Sequence, residues 1–207
     1  MFNFPTIQEL LLMAPPILFA LTLHEYAHAF TAYRLGDKTA YYEGRLTANP
    51  LKHLDPLGTL LLFLAGFGWA KPVPVNPFHF DNRKKGMMLV SLAGPMTNLL
   101  LAFLGAIVLG LLKPTGGLSF MLGYFIYINV LLAVFNLLPI PPLDGSKILA
   151  GLLPGPQQWL YQLERYGTAI LLVLIFFGFL SPILRFFIYP IVNVLSTLAN
   201  LIAGLPL

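Results

Sequence analysis

The sequence predicts an all-α polytopic membrane protein. It should have about five to six transmembrane helices, one of them short or re-entrant, and a small extended or β segment near residues 68–77. Three observations lead there. Of 207 residues, 57% are hydrophobic and only 10% are charged, whereas a soluble domain carries about 25% charged residues. The stretches 86–112, 114–143, 166–184 and 186–207 contain no Asp, Glu, Lys or Arg, and a span needs about 20 mostly apolar residues. Finally, the ionisable side chains that do enter apolar sequence are grouped, with His24, Glu25 and His28 together in the first run.

Little sequence remains for a separate soluble module, so 1–207 reads as a single membrane domain. Its core covers about 6–150, and a C-terminal helix pair covers about 157–204. The expected location is the cell membrane, multi-pass, with the lipid bilayer as the first partner. The net charge of +4 suits a membrane protein whose cytoplasmic loops favour Lys and Arg. No basic stripe suggests nucleic acid, and nothing sets an oligomeric state. With no cysteine, disulfides and thiolate metal sites are excluded, which leaves His and carboxylates as metal ligands.

The first helix should run from about Thr6 to Leu35, bend at Pro15-Pro16 and end at Gly36. No Lys or Arg precedes its apolar run, so it reads as an uncleaved helix rather than a secretory signal. His24 lies about 15 Å from its C-terminal end, near mid-membrane. The loop 36–56 is polar. Leu57–Trp69 is apolar, but as a helix it covers only about 20 Å, less than the hydrocarbon core of about 30 Å. The following Gly68–Pro77 stretch alternates prolines with valines, which forbids a helix and permits an extended edge.

Further helices are expected at about Lys85–Leu112, Ser119–Leu138, Gln158–Leu180 and Pro182–Ala203. In the first of these, Ser91, Ala93 and Gly94 should let a neighbouring backbone come close. A proline-broken stretch, Pro139 to Gly145, and a junction near Ser181-Pro182 separate the others. Basic residues flank Leu57–Trp69 on both sides: Arg34, Lys38, Arg45 and Lys52 before it, Lys71, Arg83, Lys84 and Lys85 after it. Both flanks therefore belong on the cytoplasmic side, and the short segment must turn back rather than cross. Asp144 then returns to the side where the first helix ends.

The chemistry concentrates at His24-Glu25-Tyr26-Ala27-His28, an H-E-x-x-H sequence. Residues four apart on a helix lie on one face, roughly 5–6 Å apart at Cβ, so His24 and His28 can share one metal ion while Glu25 reaches a water beside it. Two imidazoles, a third protein ligand and an open position are the pattern of catalytic zinc, one ion per chain. An acid at the centre of a membrane helix costs about 2.5–3.5 kcal/mol on insertion scales; a buried metal justifies that cost, whereas an exposed polar face is not available there. Asp144 is the leading candidate for third ligand, because it follows a proline-broken helix on the correct side. Its alternative is to cap a short helix over Gly145–Leu152. His53, Asp55 and His79 are weaker candidates on loops.

Further motifs accompany the histidine pair. They are Asn49-Pro50 with His53-Leu54-Asp55-Pro56-Leu57-Gly58, Ala93-Gly94-Pro95 with Asn98, and Asn136-Leu137-Leu138-Pro139-Ile140-Pro141-Pro142-Leu143-Asp144-Gly145. With these motifs, and with the Gly68–Pro77 stretch, the chain resembles the site-2 protease family of intramembrane zinc metalloproteases over residues 24–145. The resemblance implies that His24, His28 and Asp144 bind zinc, that Glu25 is the catalytic acid/base, and that Asn136 assists the transition state. It further implies regulated intramembrane proteolysis of a single-span membrane-protein substrate. The form is compact, without room for the peptide-binding (PDZ) or nucleotide-sensing (CBS) module that many relatives carry, and the metal helix is the first helix.

Several roles stay open at this stage. Asn136 can instead cap its helix. Asn98 can orient a metal ligand from behind or join two helices. His53 can serve the site or only its loop. Cleavage inside a membrane helix requires local unwinding, and an exposed strand edge can receive the freed backbone. Val73, Val75 and Asn76 are the residues expected to do this, the alternative being a rigid structural loop. The rival function is a metal-binding membrane protein or carrier without proteolysis, which would use the histidine pair but need no base at Glu25.

Overall fold

The computed structural model describes residues 6–58, 69–155 and 158–204. It is helical, and among the described residues four helices are long and apolar enough to cross a membrane. These are α1 (Ile7–Arg34), α3 (Arg83–Leu112), α4 (Gly116–Asn136) and α7 (Leu180–Gly204). Shorter or less apolar helices among the described residues include α2 (Thr39–Tyr42), α5 (Asp144–Leu152) and α6 (Gln158–Phe176). The expected five to six spans are thus four among the described residues. Helix α6, with Glu164 and Arg165 in its first half, is not one of them.

Local chemistry sets the helix ends. Thr6 opens α1 through a reciprocal capping box with Glu9, which satisfies two otherwise orphaned N–H donors. Pro15 and Pro16 lie within the single helix α1. Gly36, at φ 104°, turns the chain away at the far end, as the sequence anticipated. Asn82 caps α3 by accepting the N–H of Lys85 at 3.0 Å. The last two helices meet differently from expectation. The turn is made by Gly178, at φ 73°, and Pro182 falls in the first turn of α7, where its missing N–H costs nothing.

Helix α3 is the centre of the packing and touches α1, α4, α5 and α7. Its buried positions are mostly small, including Ser91, Gly94, Ala102, Gly105, Ala106 and Gly110. Small residues let backbones approach closely where no hydrophobic force drives helices together in lipid. Ala102 and Ala106 form one core with Ile126, Val130 and Val134 of α4 and Ile188, Leu195 and Ala199 of α7. A second core joins Leu138 and Leu143 of the proline-rich connection to Leu171 and Leu180. Large apolar side chains point outward, among them Phe103, Leu111, Phe176 and Phe186. A surface of this kind belongs in lipid; the protein is a membrane protein.

The segment 57–69 lies mostly outside the described residues, but its two ends meet. An isolated antiparallel bridge pairs Leu54 with Ala70, and the Lys71 N–H donates to His53 O at 2.8 Å. The described residues on either side of the segment are thus paired with each other. The expected β segment is reduced to this one bridge, and residues 71–76 form no regular structure. Pro72 and Pro74 have no N–H to build a ladder. A short 3-10 turn, Pro77–His79, follows and is capped by the side chain of Asn76.

Asp37, just past α1, holds this region together. Its fully buried carboxylate accepts hydrogen bonds from the Thr39 N–H and hydroxyl, from the Asn76 N–H and from His79 Nδ1. Burial pushes its pKa up, but the bonds from Thr39, His79 and Asn76 outweigh this and hold it below the ordinary carboxylate range. The stabilisation is then fully present above the unfolded pKa near 4 and is lost as pH falls through the lower folded value. Replacing Asp37→Asn should lower the thermal midpoint at pH 7 by about 4–8 °C. In thermal melts in detergent, the gap between variant and parent should close as pH falls below about 4.

Candidate metal centre

Helix α1 places His24 and His28 one turn apart, both buried and facing α3. Asp144, the first residue of α5, joins them from 116 positions further along the chain (144 minus 28). Its Oδ2 lies 3.3 Å from His24 Nε2 and 3.2 Å from His28 Nε2, and the two Nε2 atoms are 3.0 Å apart. These three donors form the one group of His, Cys or acidic side chains among the described residues that could hold a metal ion.

The other ring nitrogens define the protonation. His28 Nδ1 lies 2.7 Å from Val90 O; a carbonyl only accepts, so this nitrogen carries the proton. His24 Nδ1 lies 2.6 Å from Asn98 Oδ1. The amide of Asn98 is oriented by its Nδ2, which donates to Ala20 O at 3.2 Å and to Asn129 Oδ1 at 2.8 Å. Asn129 is oriented in turn by donating to Phe125 O at 2.8 Å. With Nδ1 as the donor on each ring, a neutral imidazole offers its Nε2 lone pair on the side of the Asp144 carboxylate. The three donor atoms therefore have the chemistry of a cation site. The spacing fits: tetrahedral ligands at zinc–nitrogen or zinc–oxygen bonds of about 2.0–2.1 Å stand about 3.3 Å apart.

Two glycines make room for this arrangement. A Cβ on Gly94 would come within 2.5 Å of His28 Nε2 and 2.6 Å of His24 Cε1, so α3 can pass behind the imidazoles only without a side chain there. A Cβ on Gly145 would collide with the carbonyl oxygens of Leu137 and Leu138. The connection folds back tightly on itself at that point, with the Leu143 N–H donating to Ile140 O at 2.9 Å. The N-cap of α5 is Leu143, and Asp144 is the first residue of the helix. Ser146 donates its hydroxyl to Leu143 O at 2.7 Å.

Glu25 is one residue beyond His24 on the same helix, and its Oε2 accepts the Val73 N–H at 2.9 Å. That bond ties the 71–76 segment to the metal helix. The other expected residues make the following contacts. Asn136 ends α4 and donates Nδ2 to Leu132 O at 2.9 Å. His53 is buried, with Nε2 on Thr47 O at 2.8 Å. Asp55 accepts the Gly58 N–H, and His79 pairs with Asp37. Val75 packs against the core of Ala32, Phe80 and Val90, and Asn76 accepts the Phe78 N–H at 3.1 Å. Sequence reasoning missed Asn129, the Val90 carbonyl and Asp37. Polar Asn129 inside the charge-free run 114–143 was the one available signal.

The chain is similar to proteins named as zinc metalloproteases. The chain is 44% identical over 187 residues to "Putative zinc metalloprotease YwhC" of Bacillus subtilis, covering 86% of this chain and 84% of that one. The chain belongs to peptidase family M50. The model of that family, "Peptidase family M50", matches residues 112–181, which include the Asn136–Gly145 motif. Among other M50 relatives, "Putative zinc metalloprotease Rip2" of Mycolicibacterium smegmatis is 38% identical over 76% of this chain and 64% of its own length. "Putative zinc metalloprotease MJ0611" of Methanocaldococcus jannaschii is 37% identical over 61% of this chain and 62% of its own. No solved structure gives a significant match.

Two substitutions test the centre. Asn98→Ala removes the acceptor behind His24 and should weaken divalent-metal affinity about 10–100-fold, measured by competition with a chromophoric chelator. Gly94→Ala should lose at least as much affinity while helical content by circular dichroism stays at the parent level.

Proposed function

We propose that this chain is an intramembrane zinc metalloendopeptidase of the cell membrane, hydrolysing peptide bonds within or near transmembrane segments of single-span substrates in regulated intramembrane proteolysis. The observation that carries the reading is the convergence of two Nε2 lone pairs and one carboxylate oxygen, with a second carboxylate, Glu25, on the same helix. The names of the M50 relatives support zinc as the metal and peptide hydrolysis as the reaction.

His24, His28 and Asp144 would hold the ion. Bound zinc supplies Lewis acidity and lowers the pKa of water toward about 7. Glu25 accepts the proton of the attacking water and later delivers it to the leaving amine. The Val73 N–H fixes one oxygen of Glu25 and so orients the carboxylate for both transfers. Asn136 uses one N–H of its amide on Leu132 O; its other N–H can stabilise the developing oxyanion, a role worth about 3–4 kcal/mol in other hydrolases.

The segment before Asn76 is suited to receive an unwound substrate. In an extended chain, alternate residues point their N–H and C=O groups to one edge. Pro72 and Pro74 lack an N–H, so the donors of residues 71–75 belong to Lys71, Val73 and Val75. The first bonds to His53 O and the second to Glu25. The Val75 N–H has no partner among the described residues. A substrate backbone paired with the Val75 N–H would lie two residues from the amide that holds Glu25, with Asn76 marking the end of the segment.

Glu25→Gln separates a protease from a metal carrier. The variant should keep one zinc per chain by elemental analysis. Its cleavage of a single-span peptide in detergent should fall by at least about 100-fold, and chelation should abolish cleavage by the parent. Parental cleavage rates in the zinc-loaded variant would sink the reading.

A further inference from the structure

We infer that Asp37 is a positioning residue for Glu25: it clamps residues 71–79 to the end of the metal helix so that the Val73 N–H meets the Glu25 carboxylate. The inference rests on the reading of Glu25 as the acid/base. Asp37 lies outside the metal cluster, yet it is a buried carboxylate with four hydrogen bonds, and that investment needs a purpose. Two bonds are local, from Thr39 N–H at 3.0 Å and Thr39 Oγ1 at 2.5 Å. The other two reach across the chain, from Asn76 N–H at 2.7 Å and His79 Nδ1 at 2.8 Å. Both distant donors sit on the segment that carries Val73.

The segment is held at two ends. Upstream, Lys71 gives its N–H to His53 O, and its carbonyl accepts from Arg45 Nη2 at 2.7 Å. Downstream, Asp37 takes Asn76 and His79. Val73 lies between the anchors, flanked by Pro72 and Pro74. Proline locks φ near −65°, so the short span is stiff and a displacement at Asn76 carries to Val73. Val75 adds an apolar contact to the cluster of Ala32, Phe80 and Val90. That cluster could hold the segment without the carboxylate, which is the competing explanation that an experiment must separate.

The test uses the full chain in detergent with Asp37→Asn and, as a milder variant, His79→Gln, which removes a half-exposed imidazole that bonds Asp37 and lies 3.4 Å from Asn76 Nδ2. Zinc content, steady-state kinetics on a single-span peptide and amide hydrogen exchange are measured together. Because prolines occupy positions 72 and 74, a fragment over 72–75 reports only the amides of Val73 and Val75. The expected result for Asp37→Asn is unchanged zinc content and loss of protection at Val73 as well as at Asn76. kcat should fall by at least about tenfold, with a smaller change in KM. His79→Gln should shift the same readings in the same direction by less. Faster exchange at Asn76 alone, with Val73 and kcat at parental values, would overturn the inference and leave Asp37 as a local fastener of the turn. If Asp37→Asn does not fold, His79→Gln decides by the same two readings. If the parent cleaves no peptide, the protease reading fails on its own, and the exchange of Val73 still decides whether the clamp exists.

Discussion

Three lone pairs aimed at one point inside an apolar helix bundle are repulsive unless a cation joins them. Most of the site follows from meeting that condition. Each imidazole must offer Nε2, so each Nδ1 must give its proton to an acceptor. For His28 the acceptor is a backbone carbonyl of α3, which no side-chain substitution can remove. For His24 it is the Asn98 amide, which could face either way. Its direction is decided by two acceptors, Ala20 O and Asn129 Oδ1. In a low-dielectric interior a partly satisfied polar network is worse than none, and this one is closed at its far end by Phe125 O.

The same condition explains the form of α3 and of the chain before α5. For Val90 O and Asn98 Oδ1 to reach the rings, α3 must run against α1 at backbone distance, and Gly94 is the residue that allows it. Small residues continue along α3 toward α4 and α7, so one helix serves as both the floor of the site and the axis of the bundle. The third donor has to arrive from a different element. Non-helical backbone at depth is tolerated where protein covers it. The turn from Asn136 to Asp144 is covered by Leu171 and Leu180. Its prolines need no N–H partner, and Gly145 lets it close on itself.

The polar periphery couples to the centre through very few bonds. The Val73 N–H on Glu25 is one of them, and the Asp37 carboxylate lies at the other end of the same stiff span. A charged group with four donors is an expensive way to hold a loop. It also holds the loop in one position, with the Val73 N–H on the Glu25 carboxylate.

The bilayer-spanning class, the histidine pair with its glutamate, and the return of Asp144 to the end of the first helix are all legible in the chain. They depend on local quantities: the length of charge-free runs, a four-residue helical spacing, and the charge on either side of a short apolar segment. The partners of those residues are not legible. Asn98 reads either as a residue behind a metal ligand or as a link between helices, Asn129 as a polar residue in a helix, Gly94 as one small residue among several, and Asp37 as part of a polar loop. Their roles exist only once α1, α3 and α4 lie side by side. Their contacts span 31 to 78 residues of sequence, and no periodicity encodes which amide will face which ring. The histidine pair is legible because a helix brings residues four apart onto one face. Its orientation belongs to the packed bundle, where satisfying every buried donor and acceptor at once selects a single arrangement.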